Sequence, residues 1–95
     1  MSKSIKTTYY GVRNGEKVVT HSYTDQWEQT DITRCLHCHS KNVWVETGGG
    51  DYYAGCKYMC VDCGAWFYYQ GCDLVNEDPY DVNYQTLQQL RGKDV

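Results

Sequence analysis

Apolar and polar residues alternate along both sides of Asn14-Gly15, in arms rich in Tyr, Val and Thr. Period-two patterning of this kind predicts strands, and Asn-Gly between two such runs is the strongest short-range signal for a two-residue hairpin turn. The predicted hairpin covers residues 5–24, with Arg13 opposite Glu16, Val12 opposite Lys17 and Tyr10 opposite Val19. Simple alternation then places Tyr10, Val12, Val19 and Tyr23 on one face and Ile5, Tyr9 and Val18 on the other. "TDQWEQTDIT" reads as a polar connector with one large anchor, Trp27. Beyond it, "NVWVET" and "YYAGCKYM" are strand-like and joined through "GGGD", and "AWFYYQ" predicts a third strand. The period changes near the end of the chain. Tyr80, Tyr84, Leu87 and Leu90 recur at helical spacing, which predicts a helix over residues 79–91. Asp78 suits its cap, Pro79 its first position, Asp81 its positive end and Gly92 its stop. The apolar stripe of that helix is expected to dock on the strands. The chain contains no repeat, low-complexity tract or interdomain linker, so residues 1–95 read as one small, mostly β, α+β domain.

Composition shows how thin the core of such a domain would be. The 95 residues include ten Tyr and three Trp but one Phe, four Leu and two Ile. Tyr and Trp keep a polar atom that needs a partner or water, and a chain this short buries a modest share of its surface. A structural metal is one of the usual remedies. No apolar run is long enough for a signal-peptide core or a membrane span, so a soluble, cytoplasmic protein is expected. In a reducing compartment, clustered cysteines mean metal more often than disulfides.

Five of the six cysteines fall within "RCLHCHSKNVWVETGGGDYYAGCKYMCVDCGAWFYY". Cys35/Cys38 and Cys60/Cys63 form two Cys-x-x-Cys pairs separated by 21 residues, enough chain to run out along one strand and back along the next. Zn²⁺ favours four soft ligands in a tetrahedron, and each pair supplies two sulfurs from one side. The expected cofactor is therefore one structural zinc on Cys35, Cys38, Cys60 and Cys63. Cys56 precedes Cys60 by about 13 Å at strand rise, too far to share the ion. It and Cys72 read as free thiols, while His37 and His39 flank Cys38 without being needed. Gly64 follows the second pair and allows the backbone to turn there; His39 holds the equivalent place after the first.

The segment "CLHCHSKNVW…YMCVDCGAWF" resembles the zinc ribbons found in transcription factors, transposases and many small phage and bacterial proteins. In these, a "CxxCGS" knuckle leads into one strand and a "YxCxxCG" knuckle into another. The resemblance implies a ribbon of three short antiparallel strands over residues 32–72, with a structural zinc on the same four cysteines. It does not extend to the hairpin or the helix, and it carries no function of its own.

Catalysis is not expected. Four thiolates fill the zinc shell and leave no position for water. The deaminase signature His-x-Glu…Pro-Cys-x-x-Cys is absent, as is His-Glu-x-x-His. Neither Cys-x-x-Cys opens a helix after a strand, as thiol redox chemistry prefers. The tip carries Asp51 alone after "GGG", not the acidic pair by which a transcription-elongation ribbon holds a catalytic metal.

Two binding roles remain. Surplus aromatics, above all Trp44, Tyr52, Tyr53, Trp66 and Tyr68, suit a protein interface. The same rings, with Arg34, Lys41 and Lys57, could stack unpaired bases. The net charge of −3 and the acidic group Asp73, Glu77, Asp78 and Asp81 count against the nucleic-acid role. The expected protein is a non-enzymatic zinc-ribbon regulator, of phage or small bacterial type, that binds a protein partner such as a larger host machine. A nucleic-acid-binding ribbon is the alternative.

Overall fold

Asn14 and Gly15 take positive φ, 53° and 79°, and close a two-residue turn between β1 (Ser2–Arg13) and β2 (Glu16–Thr30). The structure is a computed structural model that describes residues 2–47, 57–68 and 71–93. Near the turn the register is the predicted one: Arg13 faces Glu16, Val12 faces Lys17 and Tyr10 faces Val19. A β-bulge follows. Tyr9 pairs with His21, leaving Thr20 as the extra residue, and its Oγ1 donates to the Tyr9 carbonyl at 3.1 Å. An extra residue reverses which way the bulged strand points its side chains. Tyr23 therefore lies opposite Thr7 on the Ile5–Tyr9 face, and not with Tyr10 as simple alternation predicts.

β2 also runs past its predicted end. The supposed connector is strand, because Asp25 and Trp27 alternate inward while Gln26 and Glu28 face out. Its last residues pair with β3 (Val43–Glu46), Trp27 opposite Glu46 and Thr30 opposite Val43. β4 (Tyr58–Cys60), β5 (Ala65–Phe67) and the unforeseen β6 (Asp73–Leu74) continue antiparallel in chain order. The hairpin and the cysteine-bearing strands thus form a single six-stranded sheet.

The helix, α1 (Val82–Leu90), is shorter than predicted. Asp81 is its N-cap, with Oδ1 accepting from Asn83 N at 2.8 Å and Tyr84 N at 3.1 Å. Asp78 accepts from Tyr80 N in a turn before the helix, and Pro79 lies in that turn. Gly92, at φ 82°, follows the last turn as expected.

The helix meets both the first strand and the later ones, so the sheet curls around it. Lys3 Nζ donates to the Leu90 carbonyl at 2.9 Å, and Arg91 Nε donates to the Val61 carbonyl at 2.7 Å. Ile5, Trp27, Trp44, Met59, Leu87 and Leu90, one or two from each element involved, make the core between helix and sheet. On the opposite face of the later strands, Cys35, Val43, Cys60, Ala65 and Phe67 form a second buried cluster. Neighbouring Val43 and Trp44 face opposite ways, yet both are buried.

β1 is an edge strand, and its outward backbone groups are satisfied by α1. Gln85 accepts from Thr8 N at 3.0 Å and donates to Thr8 O at 3.0 Å. Gln89 accepts from Lys6 N at 2.9 Å and donates to Lys6 O at 2.6 Å. Four residues of helix advance about 6 Å and two residues of strand about 6.8 Å, so the spacings match. Two side-chain amides stand in for the missing neighbour strand. Among the described residues no helix is long and apolar enough to cross a membrane.

Candidate metal centre

The register brings the two Cys-x-x-Cys turns together. The first lies between β2 and β3, and the second follows β4, with Cys60 opposite Val43. The turns have the same local design. His39 N donates to Cys35 O at 2.9 Å, and Gly64 N donates to Cys60 O at 2.9 Å. Both donors adopt left-handed backbone, at φ 62° and 81°. His39 thus takes the conformation that glycine takes in the second turn. A side chain at position 64 would also be crowded, since a Cβ there would lie 3.1 Å from Leu87 Cδ2.

All four sulfurs lie within 4.8 Å of one another. Cys35 Sγ is 3.4 Å from Cys63 Sγ, and Cys38 Sγ is 3.6 Å from Cys60 Sγ. The edge of a tetrahedron with Zn–S bonds of 2.3 Å is about 3.8 Å, so these separations suit a single ion. Cys35 and Cys60 are buried, Cys63 is half-buried and Cys38 is exposed.

Backbone dipoles prepare the sulfurs for negative charge. His37 N and Cys38 N point at Cys35 Sγ from 3.2 and 3.4 Å. Burial pushes the Cys35 thiol up, but these amides and the neighbouring thiols outweigh it, leaving a value lowered to about 7. Burial dominates at Cys60 and Cys63 and raises both, against N–H groups that favour the thiolate. Four thiolates this close repel one another, and a divalent cation removes that repulsion. The donor set, its spacing and the N–H groups around it all fit a tetrathiolate metal.

Polar side chains hold the turns in register. Asp62, in the second, accepts from Ser40 Oγ and from Asn42 Nδ2 at 3.2 and 3.3 Å. Those bonds hold its carboxyl below the usual range. Val61 N donates to Asn42 O at 3.1 Å, which adds a backbone tie. Sequence reasoning passed over Ser40, Asn42 and Asp62; a Ser-x-Asn following one knuckle and an Asp inside the other was the available signal.

The other predicted residues are placed as follows. The four-cysteine cluster closes without His37 or His39, both exposed. Cys72 packs against the buried cluster that includes Cys35 and Cys60, and burial raises its thiol. Cys56, Asp51, Tyr52, Tyr53 and Tyr69 lie outside the described residues. Trp44, expected at an interface, is 5% exposed and belongs to the core, because the sheet curls that face under α1. Trp66 is half-buried, with Lys57 Nζ 4.7 Å from its ring and the exposed Tyr68 set edge-on at 5.5 Å.

The charges of the chain are unevenly distributed. Residues 2–24 hold Lys3, Lys6, Arg13 and Lys17 against Glu16 alone, leaving five cations and eleven acids for the rest. The net charge averages a basic arm with an acidic body. No protein-family model matches the chain, and neither does any curated protein or solved structure.

Proposed function

We propose that Cys35, Cys38, Cys60 and Cys63 hold one structural zinc, and that the chain is a non-enzymatic zinc-ribbon module built to bind a macromolecule. The observation that carries this reading is the convergence of four sulfurs, two from each turn, within 4.8 Å. When bound, the ion would tie the β2–β3 connection to the β4–β5 connection and neutralise thiolate charge. With all four positions taken by sulfur, it would offer no site to water or substrate. A structural zinc in a small module contributes on the order of 10 kcal/mol to the folded state, more than a core this thin supplies for itself.

Trp66 and Tyr68 remain as anchors for a protein partner, but Trp44 is in the core. Charge separation supports a nucleic-acid partner instead. A total of −3 loses its force as an objection when the cations are concentrated on one hairpin. We therefore place nucleic acid ahead of protein.

Metal analysis and thiol counting on the purified full chain test the metal reading. The expected result is one zinc per chain, retained by Cys72→Ser and lost from Cys38→Ser, with a large drop in melting temperature on chelation. A melting curve unchanged by removal of the metal would refute it.

A further inference from the structure

We infer that single-stranded nucleic acid binds along the outer edge of the hairpin, stacking on Tyr10 and Tyr80 while Lys6 and Lys17 contact its phosphates. This names the partner and surface of the binding module proposed above, and it rests on that reading.

The edge clamp stops at Thr8. By strand alternation, Tyr10 and Val12 are the next positions whose backbone faces outward, and both side chains are exposed. The turn before α1 brings Tyr80 against Tyr10, edge to face at 4.9 Å, with the two rings 47% and 38% exposed. Between them and the helix runs a groove of about 600 Å³, lined by Lys6, Thr8, Tyr10, Pro79, Tyr80 and Gln89. Lys17 Nζ lies 3.5 Å from the centre of the Tyr80 ring and covers one of its faces, so a base that stacks there moves the ammonium aside, toward a phosphate of the same strand. Cations beside exposed rings suit a ligand that is anionic and aromatic at once, and an unpaired nucleotide strand is both.

The other hairpin face argues for this edge by contrast. There Tyr9 stacks face to face on His21 at 4.3 Å and on Tyr23 at 5.8 Å, whereas Tyr10 and Tyr80 meet edge to face. The carboxyls of Glu46 and Asp25 lie within electrostatic reach of Tyr23. That pair puts negative charge on the Tyr23 side; on the other, Asp78 and Asp81 flank Tyr80, so the phosphates lie toward Lys6 and Lys17 on the hairpin and away from the turn.

Two phosphate contacts are too few for tight duplex binding, and they set a modest salt dependence. For single strands the slope of log affinity on log salt is about −0.7 per contact, so about −1.4 here. Raising salt from about 50 to about 200 mM should then weaken binding roughly 7-fold.

The test is fluorescence anisotropy of a labelled twelve-nucleotide oligothymidine titrated with the zinc-loaded full chain. Tyr80→Leu should weaken binding about tenfold, whereas Tyr80→Phe, which keeps the ring, should not. Lys6→Gln and Lys17→Gln should each reduce the salt slope by about 0.7. A labelled oligoglutamate of equal charge should bind at least tenfold more weakly. The inference is overturned by no binding from protein that carries its zinc and melts normally, or by equal affinity for oligoglutamate. It is also overturned if Tyr80→Leu binds like the parent, or if two copies pair through this edge and exclude the oligonucleotide. Each of those results leaves the metal reading intact, whereas absence of zinc would undo the module itself.

Discussion

Gln85 offers the sharpest test of how this sheet protects its edge. Its side chain is 5% exposed, and it both donates to and accepts from the backbone of Thr8, across 77 residues of sequence. Gln85→Ala removes both bonds and leaves a part-buried N–H and C=O without a protein partner. Each net hydrogen bond is worth about 1 kcal/mol, and an unsatisfied buried group costs about 1–3 kcal/mol. Water can reach the partly open edge, so the lower end applies, and the expected loss is about 2 kcal/mol. In a domain of this size that lowers the melting temperature by roughly 10 °C. Gln89 makes the same pair of bonds to Lys6, but those bonds are open to solvent. Gln89→Ala should therefore cost about half as much. Urea unfolding gives the free energies, and amide exchange at Thr8 and Lys6 locates them. Loss below about 0.5 kcal/mol with the Thr8 amide still protected in Gln85→Ala would show that the amides decorate the edge and do not close it.

Two further outcomes follow from the same geometry. Gly64→Ala forces a side chain into left-handed backbone and against Leu87, whereas Gly15→Ala meets the same backbone penalty in open space. Both should destabilise, by about 1 kcal/mol at position 15 and about 2 kcal/mol or more at position 64; equal losses in urea titrations would contradict the close approach. Burial, the hydrogen bond shared with Asp25 and the Asp25 charge raise the Glu46 carboxyl to about 7, against a smaller opposing pull from Lys57. Its contribution is complete below the ordinary glutamate range and disappears as pH rises through 7. Glu46→Gln should accordingly gain stability over the parent above pH 7 and lose that advantage in acid; an advantage that grows on acidification would reverse the assignment.

Features that depend on a few consecutive residues were legible in the sequence. Asn14-Gly15 specified its turn and the register beside it. The two Cys-x-x-Cys segments announced a four-sulfur cluster, since each turn is a local structure and 21 intervening residues suffice to bring them together. The concentration of cations in residues 2–24 was equally plain, and was hidden only by summing the charge.

What tertiary structure decided lies at longer range. The bulge at Thr20 reassigned Tyr23, because facing depends on pairing with another strand and not on parity alone. Asp25 and Trp27 became strand because a helix and a third strand arrived to cover and extend them. Trp44 could have been an interface residue or a core residue on its pattern; the curl of the sheet under α1 made it core. Gln85 and Gln89 read as ordinary polar helix positions until folding set them beside an unpaired strand edge. Alternation and helical period say which side of an element is apolar, but a polar group's partner depends on what the rest of the chain places opposite it, and only the assembled fold supplies that.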